Sequence, residues 1–307
     1  MDPLEDVFRS MRVESALYGR LEATAPWAVK FPGDQRIKFG MVARGACWLS
    51  VDGERLPLAL RSGDCFVLTD GRSFFVADDP ATPPVPCTQV LQNGPGRGRL
   101  LAFGGGGPAA TLIAGWFAFD GHGGQPLFDQ LPPVLHVRMD EERARALQAT
   151  LDLLALETSE DELGGGIVTK RLADIIFVQA IRTYVRTTGW QKAGWLAALT
   201  EPKLGAAIRA MHDQIARAWS VDDLASISGM SRSAFAAAFR ERVGEAPHAY
   251  LTRWRMYKAG CLLRGGRVSP AQAAKAVGYQ TDSAFNRIFR RHYGVTPAAY
   301  RRTAAAS

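Results

Sequence analysis

The chain has 307 residues, 47% hydrophobic and 22% charged, the balance of a globular protein of about two domains. No apolar run reaches the roughly 18 residues that cross a bilayer, which excludes a membrane-spanning role. The net charge of +7 is uneven: from Leu204 onward there are sixteen Lys and Arg against six Asp and Glu, while residues 1–203 hold 21 basic and 24 acidic side chains. That asymmetry predicts a polyanionic partner for the C-terminal part alone.

The first ten residues, MDPLEDVFRS, are acidic and lack an apolar core, so they point to no export signal. The cysteines Cys47, Cys65, Cys87 and Cys261 are scattered, as expected of free thiols in a reducing cytoplasm. Residues 15–119 read as strands, with β-rich runs at Ser15–Leu21, Trp27–Phe31, Lys38–Val42, Cys47–Val51, Cys65–Leu68 and Ser73–Ala77. Turn signals separate them, among them Asp52-Gly53-Glu54 and Ser62-Gly63-Asp64, and two later runs, Arg99–Phe103 and Thr111–Phe119, follow. Many short strands at close spacing predict a sandwich or barrel. Its apolar aromatics, Trp27, Phe39, Trp48, Phe66 and Phe74, are the candidate lining of a small-molecule pocket. The loop Gly94–Arg99 is basic, and residues 121–138 read as an ordered Gly- and Pro-rich connection.

The apolar period then changes to that of a helix. Asp140–Leu156 carries Leu147, Leu151 and Leu154 on one stripe, and Ile167–Val185 repeats the pattern with Leu172, Ile175, Ile176, Gln179 and Ile181. Gly164–Gly166 separates the two, predicting an antiparallel pair that packs on the barrel or on a second copy. Thr187–Pro202 reads as a domain boundary.

The last hundred residues contain a repeat. Phe235-x-x-x-Phe239-Arg240 recurs as Phe285-x-x-x-Phe289-Arg290, and Gly244-x-x-Pro247-x-x-Tyr250 as Gly294-x-x-Pro297-x-x-Tyr300, at an offset of 50 residues throughout. Each copy has the local grammar of a helix-turn-helix. Ser220 with Asp223 makes a capping box, Gly229 a turn and Ser231 a second cap. In the second copy Ser269, Gly278 and Thr281 take these roles, with a turn one residue longer. Pro247–Arg264 predicts a connecting helix of about 27 Å, long enough with its turns to hold two recognition helices about one DNA turn apart.

The phenylalanines belong to the core, so function rests on the opposite faces. On Ser231–Val243 these carry Arg232, Ser233, Ala236, Ala237 and Arg240; on Thr281–Tyr293 they carry Asp282, Ser283, Asn286, Arg287 and Arg290. Asn and Arg can read adenine and guanine edges, whereas Arg232, Arg240 and Arg290 suit phosphates. The second motif is therefore expected to carry more base readout than the alanine-lined first.

At these residues the chain resembles the AraC/XylS family of bacterial regulators, most specifically in the ending from Gly294 to Arg302. The N-terminal part resembles the cupin-type sensor domain fused to such modules, in Ser15-Ala-Leu-Tyr-Gly-Arg20, Arg44-Gly-x-Cys-Trp48 and Leu131-Pro-Pro-Val-Leu-His136. The resemblance implies an α+β protein. A cupin-like β-barrel with a helical pair would precede an all-α domain of seven helices with two helix-turn-helix subdomains. It implies an effector-binding domain at 1–138, a dimerisation and linker region at 139–200 and a DNA-binding domain at 201–303. Double-stranded DNA, a small-molecule effector and a second copy of the chain are the expected partners, RNA polymerase a further candidate, and the bacterial cytoplasm the expected location. Relatives often carry histidines where this chain has Gly40 and Phe74, and the five histidines here are dispersed, so neither a metal nor another cofactor is expected. The competing reading, a cupin-type enzyme with a helical appendage, lacks the histidine cluster or paired carboxylates its chemistry needs.

Overall fold

In the computed structural model the described residues are 13–34, 36–93, 100–119, 131–138, 140–159, 163–188, 198–199 and 201–305. The loop Gly94–Arg99, His122 and most of the expected boundary at Thr187–Pro202 lie outside them. The chain divides into two compact units, residues 13–120 with 131–187, and a second that carries 188–307. No helix among the described residues is long and apolar enough to cross a membrane.

The first unit is built from two sheets. Strands β1 (Val13–Thr24), β3 (Ile37–Arg44), β6 (Asp64–Leu68), β9 (Leu100–Gly104), β10 (Ala109–Phe119) and β11 (Val134–Arg138) form a six-stranded sheet in the order β11-β6-β3-β10-β1-β9. Strands β2 (Ala28–Phe31), β4 (Ala46–Val51), β5 (Leu58–Arg61), β7 (Phe74–Ala77) and β8 (Val85–Pro86) form the other, in the order β5-β4-β7-β2-β8. Leu21, Val42, Phe66 and Leu112 from the first sheet and Val29, Leu49, Leu60 and Val76 from the second share one apolar core. The unit is thus a two-sheet sandwich rather than a single closed ring of strands.

Four elements, β5, β8, β11 and the first helix, depart from the sequence expectation. Residues 134–138, expected in a surface connection, form β11, paired antiparallel to β6, with Leu135 and Val137 both 0% exposed. The short β5 lies between two turns that hid it, and α1 (Cys87–Asn93) follows β8 directly. Each is too short for its periodicity to stand out from its flanks.

Lys38 holds one edge of the sandwich. Its ammonium donates to the carbonyls of Pro32, Gly71 and Arg72 at 2.5, 3.1 and 3.2 Å, and Asp34 Oδ1 lies 3.6 Å away. Burial lowers the pKa of this amine, against the pull of Asp34. A buried cation persists here because three carbonyls replace its water shell.

The helical pair, α2 (Glu141–Ser159) and α3 (Gly165–Thr188), belongs to this unit, and α2 contacts β1. The stripe Leu147, Leu151 and Leu154 is buried, as are Leu172, Ile176 and Ile181. Ile175 and Gln179, expected on the same face, are exposed instead. Their places are taken by Phe177, Ala180 and Tyr184.

The second unit contains seven helices among the described residues: α4 (Pro202–Asp213), α5 (Val221–Ile227), α6 (Arg232–Val243), α7 (Pro247–Arg264), α8 (Pro270–Ala276), α9 (Asp282–Tyr293) and α10 (Pro297–Ala305). Pro202, Pro247 and Pro270 each occupy the start of a helix, where a missing N–H costs nothing.

Candidate nucleic-acid interface

The repeat read from the sequence is a repeat in space. In the first copy Ser220 Oγ accepts from the Asp223 N–H at 3.0 Å while Asp223 Oδ2 accepts from the Ser220 N–H at 2.9 Å. The Ser220 hydroxyl, which donates to the same carboxyl at 2.6 Å, and the Ser220 N–H hold it below its ordinary pKa. In the second copy Ser269 and Gln272 close the same box, at 3.2 and 2.7 Å. Gly229 (φ 60°) and Gly278 (φ 86°) make the turns, since only glycine takes this backbone without strain. Ser231 and Thr281 then cap α6 and α9 by accepting from the N–H three residues on.

The cores repeat as closely. The rings of Phe235 and Phe239 are 5.5 Å apart at 52°, and those of Phe285 and Phe289 are 5.4 Å apart at 52°. Phe239 meets Tyr250 edge-on at 5.6 Å, and Phe289 meets Tyr300 edge-on at 5.4 Å. These fixed anchors decide which faces of α6 and α9 turn outward.

On α6 the outward residues Arg232, Ser233, Ala237 and Arg240 are exposed and Ala236 is half-buried. On α9 Asp282, Ser283, Asn286, Arg287 and Arg290 are all exposed. Arg232 pairs with Asp222 at 2.9 Å, an exposed bridge worth about 0–1 kcal/mol that a phosphate can displace. Arg240, Asn286, Arg287 and Arg290 make no side-chain hydrogen bond or ion pair among the described residues. Each turns unsatisfied donors toward solvent, the condition for binding a polyanion.

Two basic residues of the connecting helix are bound within the unit. Arg253 is tied to Glu245 at 2.6 and 3.0 Å. Arg255 donates to the carbonyls of Ile215 and Arg217 at 2.8 and 2.7 Å and lies 5.9 Å from the Tyr279 ring. Burial lowers the Arg255 pKa and raises that of Tyr279. Gly278 has no Cβ because one would fall 2.3 Å from the Ala216 carbonyl oxygen. The loop before α5 therefore touches the turn before α9, a second bond between the subdomains besides α7. No sequence signal marked it, because Arg255 and its acceptors stand about 40 residues apart.

In the first unit, Trp27, Phe66 and Phe74 are brought together in the sandwich core, with Phe66 edge-on to Phe74 at 5.7 Å. Phe39 and Trp48 are not. Val42 and Cys47 face the core, and strand alternation sends Phe39 and Trp48 to the opposite faces of their sheets. The five aromatics thus do not line one concave surface. A Cβ at Gly40 would fall 2.3 Å from the Phe66 ring, so that ring occupies the space a histidine there would need. His136 Nε2 and Asp64 Oδ2 stand 3.4 Å apart, but among the described residues no three His, Cys, Asp or Glu converge as a metal set. Burial pushes the Cys47 thiol up to about 12 and raises that of Cys65, leaving both unreactive thiols.

Residues 2–186 match the family described as Cupin, and residues 224–303 match the family described as Helix-turn-helix domain. An AraC-like transcription regulator of Streptomyces lividans is 37% identical over 302 residues, 98% of this chain and 98% of the relative. The HTH-type transcriptional regulator AlkR of Acinetobacter baylyi is 28% identical over 305 residues, 98% of this chain and 99% of its own. A crystal structure of a transcriptional regulator with an AraC-type DNA-binding domain, from Chromobacterium violaceum, covers 35% of this chain and 96% of its own at 30% identity and a TM-score of 0.33. Two helix-turn-helix units on one connecting helix, carried behind a β-sandwich, make a DNA-binding transcription regulator. The chain belongs to the AraC-like family of transcription regulators, in the form that carries an N-terminal cupin domain.

Proposed function

We propose that this regulator reads double-stranded DNA mainly through α9, holds it through both motifs, and is controlled by a small molecule bound in residues 1–138. The observation that carries the reading is the pair of outward faces on matched cores. Asp282, Ser283, Asn286 and Arg287 present the donor and acceptor sets that discriminate base edges. Ala236 and Ala237 can pack on a thymine methyl but form no bidentate contact. Arg232, Arg240 and Arg290 grip phosphates. Genome-wide mapping of bound DNA tests it: an enriched motif is expected, and a flat profile sinks the specific-regulator reading. Asn286→Ala is expected to relax sequence preference at one or two positions, at about 1–3 kcal/mol of discrimination. Ser233→Ala should change it little, and the reverse ranking in a selection from random duplexes overturns the assignment.

Residues 139–200 we assign to dimerisation. Leu163 and Ile167 are 106% and 70% exposed, and Leu153, Leu156 and Ile175 are also open, apolar side chains of this region that a second copy of the chain would cover. Ile167→Lys is expected to shift sedimentation from dimer to monomer while 201–303 still bind DNA; a monomeric parent protein refutes the assignment. We assign no catalytic role. The Phe66 ring fills the space that a histidine at position 40 would need, which supports a sensor in preference to a metal-dependent cupin enzyme. The location that fits is the bacterial cytoplasm, on the nucleoid when DNA is bound, with RNA polymerase as the partner through which binding acts on transcription.

A further inference from the structure

A cavity of about 680 Å³ opens on the outer face of the six-stranded sheet, with α2 as one wall. Its floor is a row across three strands: Glu22 on β1 pairs with Thr111 on β10, which pairs with Arg44 on β3. Leu21, Ala23, Ala110 and Leu112 face the sandwich core, so Glu22 and Thr111 face outward by alternation. Arg44 breaks that pattern. Val42 faces the core and alternation would send Arg44 after it. Instead Val42 pairs with Leu112 and Arg44 with Thr111, leaving Ala43 as the extra residue of a bulge. Bulges re-aim side chains, and this one turns Arg44 onto the cavity. Ser62 Oγ donates to the Ala43 carbonyl at 3.1 Å and fixes the distortion.

The other charges in the cavity are already engaged. Arg20 lies 2.9 Å from Glu22, and Asp152 accepts from Gln148 at 2.9 Å on the α2 wall. Arg44 is exposed and makes no hydrogen bond or ion pair among the described residues. The volume lies within the roughly 300–1,000 Å³ of small-molecule sites. A guanidinium fork matches a carboxylate in bidentate fashion. Asp152 keeps acceptor capacity on the opposite wall, and the small side chains of Ala102 and Ala109 leave room for a compact body between.

We propose that this outer cleft is the effector site, and that it takes a small carboxylate whose far end carries a hydroxyl or ammonium donor; this rests on the effector-controlled reading above. Arg44 holds the carboxylate and Asp152 accepts from the donor. Asp152 lies on α2 beside the exposed Leu153, so a ligand bridging sheet and helix acts directly on an element assigned to dimerisation.

Calorimetric titration of the full chain without DNA tests this, with 4-aminobutanoate and 4-hydroxybenzoate and the corresponding neutral amides as probes. Saturable binding of at least one acid is expected, with its amide weaker by about tenfold or more. Arg44→Gln should weaken the acid by about tenfold at an unchanged melting temperature, since Arg44 has no partner to lose, and Arg44→Lys should recover part of the loss. Asp152→Asn should weaken 4-aminobutanoate more than 4-hydroxybenzoate. Equal binding of acid and amide, an Arg44→Gln variant of parental affinity, or no binding of either acid up to about 10 mM overturns the proposal. Mapping of bound DNA separates the two failures. An enriched motif with no acid bound sinks the cleft alone, whereas a flat map sinks the regulator reading whatever the cleft binds.

Discussion

Phe289→Ala is expected to unfold the second helix-turn-helix and abolish specific DNA binding. Phe289 is 0% exposed and packs on Phe285, Tyr293 and Tyr300 at ring separations of 5.4, 4.6 and 5.4 Å. Truncating a buried phenylalanine costs about 3–5 kcal/mol. That is a large part of the roughly 5–15 kcal/mol that holds a domain together. Loss of helical circular dichroism together with loss of a gel shift on an enriched fragment is the expected result. Arg290, the next residue, gives the contrast. Arg290→Ala should leave the helix folded, weaken all sequences about equally and lower the salt dependence by about one phosphate contact. A Phe289→Ala protein that melts and binds like its parent would show that the ring cluster does not hold α9.

Lys38→Met carries the other large expected effect. It preserves most of the apolar stem but strands the carbonyls of Pro32 and Arg72, while the Gly71 carbonyl keeps the Asp34 N–H at 2.9 Å. Orphaned acceptors cost about 1–3 kcal/mol each, and water gives some relief at these two part-buried ones, so about 2 kcal/mol is expected overall. For a unit of this size that corresponds to a melting temperature lower by roughly 4–8 °C. Lys38→Arg should not rescue it, because a planar fork cannot satisfy three carbonyls gathered around a point charge. Melting followed by fluorescence of the N-terminal unit measures both variants, and a Lys38→Met transition within a degree or two of the parent refutes the role.

What was legible in the sequence was whatever local chemistry determines. The Phe-x-x-x-Phe and Gly-x-x-Pro-x-x-Tyr spacings place caps, turns and ring pairs within single helices and their flanks, so the DNA-binding unit could be drawn almost residue by residue. The long helix Pro247–Arg264 is observed with those bounds. What was not legible depends on partners far along the chain. The inward or outward sense of Phe39, Trp48 and Arg44 follows from sheet register and one bulge, and a single extra residue inverts it. β11 has five residues and gains its identity from β6, more than sixty positions away. Arg255 looks in the sequence like one more cation on a basic helix. Only the folded chain brings the carbonyls of Ile215 and Arg217 to it.

That clamp alters what the connecting helix can do. A helix alone is a torsional rod: one residue more or fewer turns its far end by about 100° and shifts it by about 1.5 Å. With α7 fixed at both ends, and the Ala216 loop lodged against Gly278 beside it, the two reading heads behave as one rigid gauge with a set phase. The operator must then supply its two half-sites at a spacing and angular offset that the protein has already chosen. Any adaptation to other spacings has to come from the DNA, through bending and twist, at an elastic cost that itself depends on sequence. The base pairs between the half-sites thereby enter the recognition.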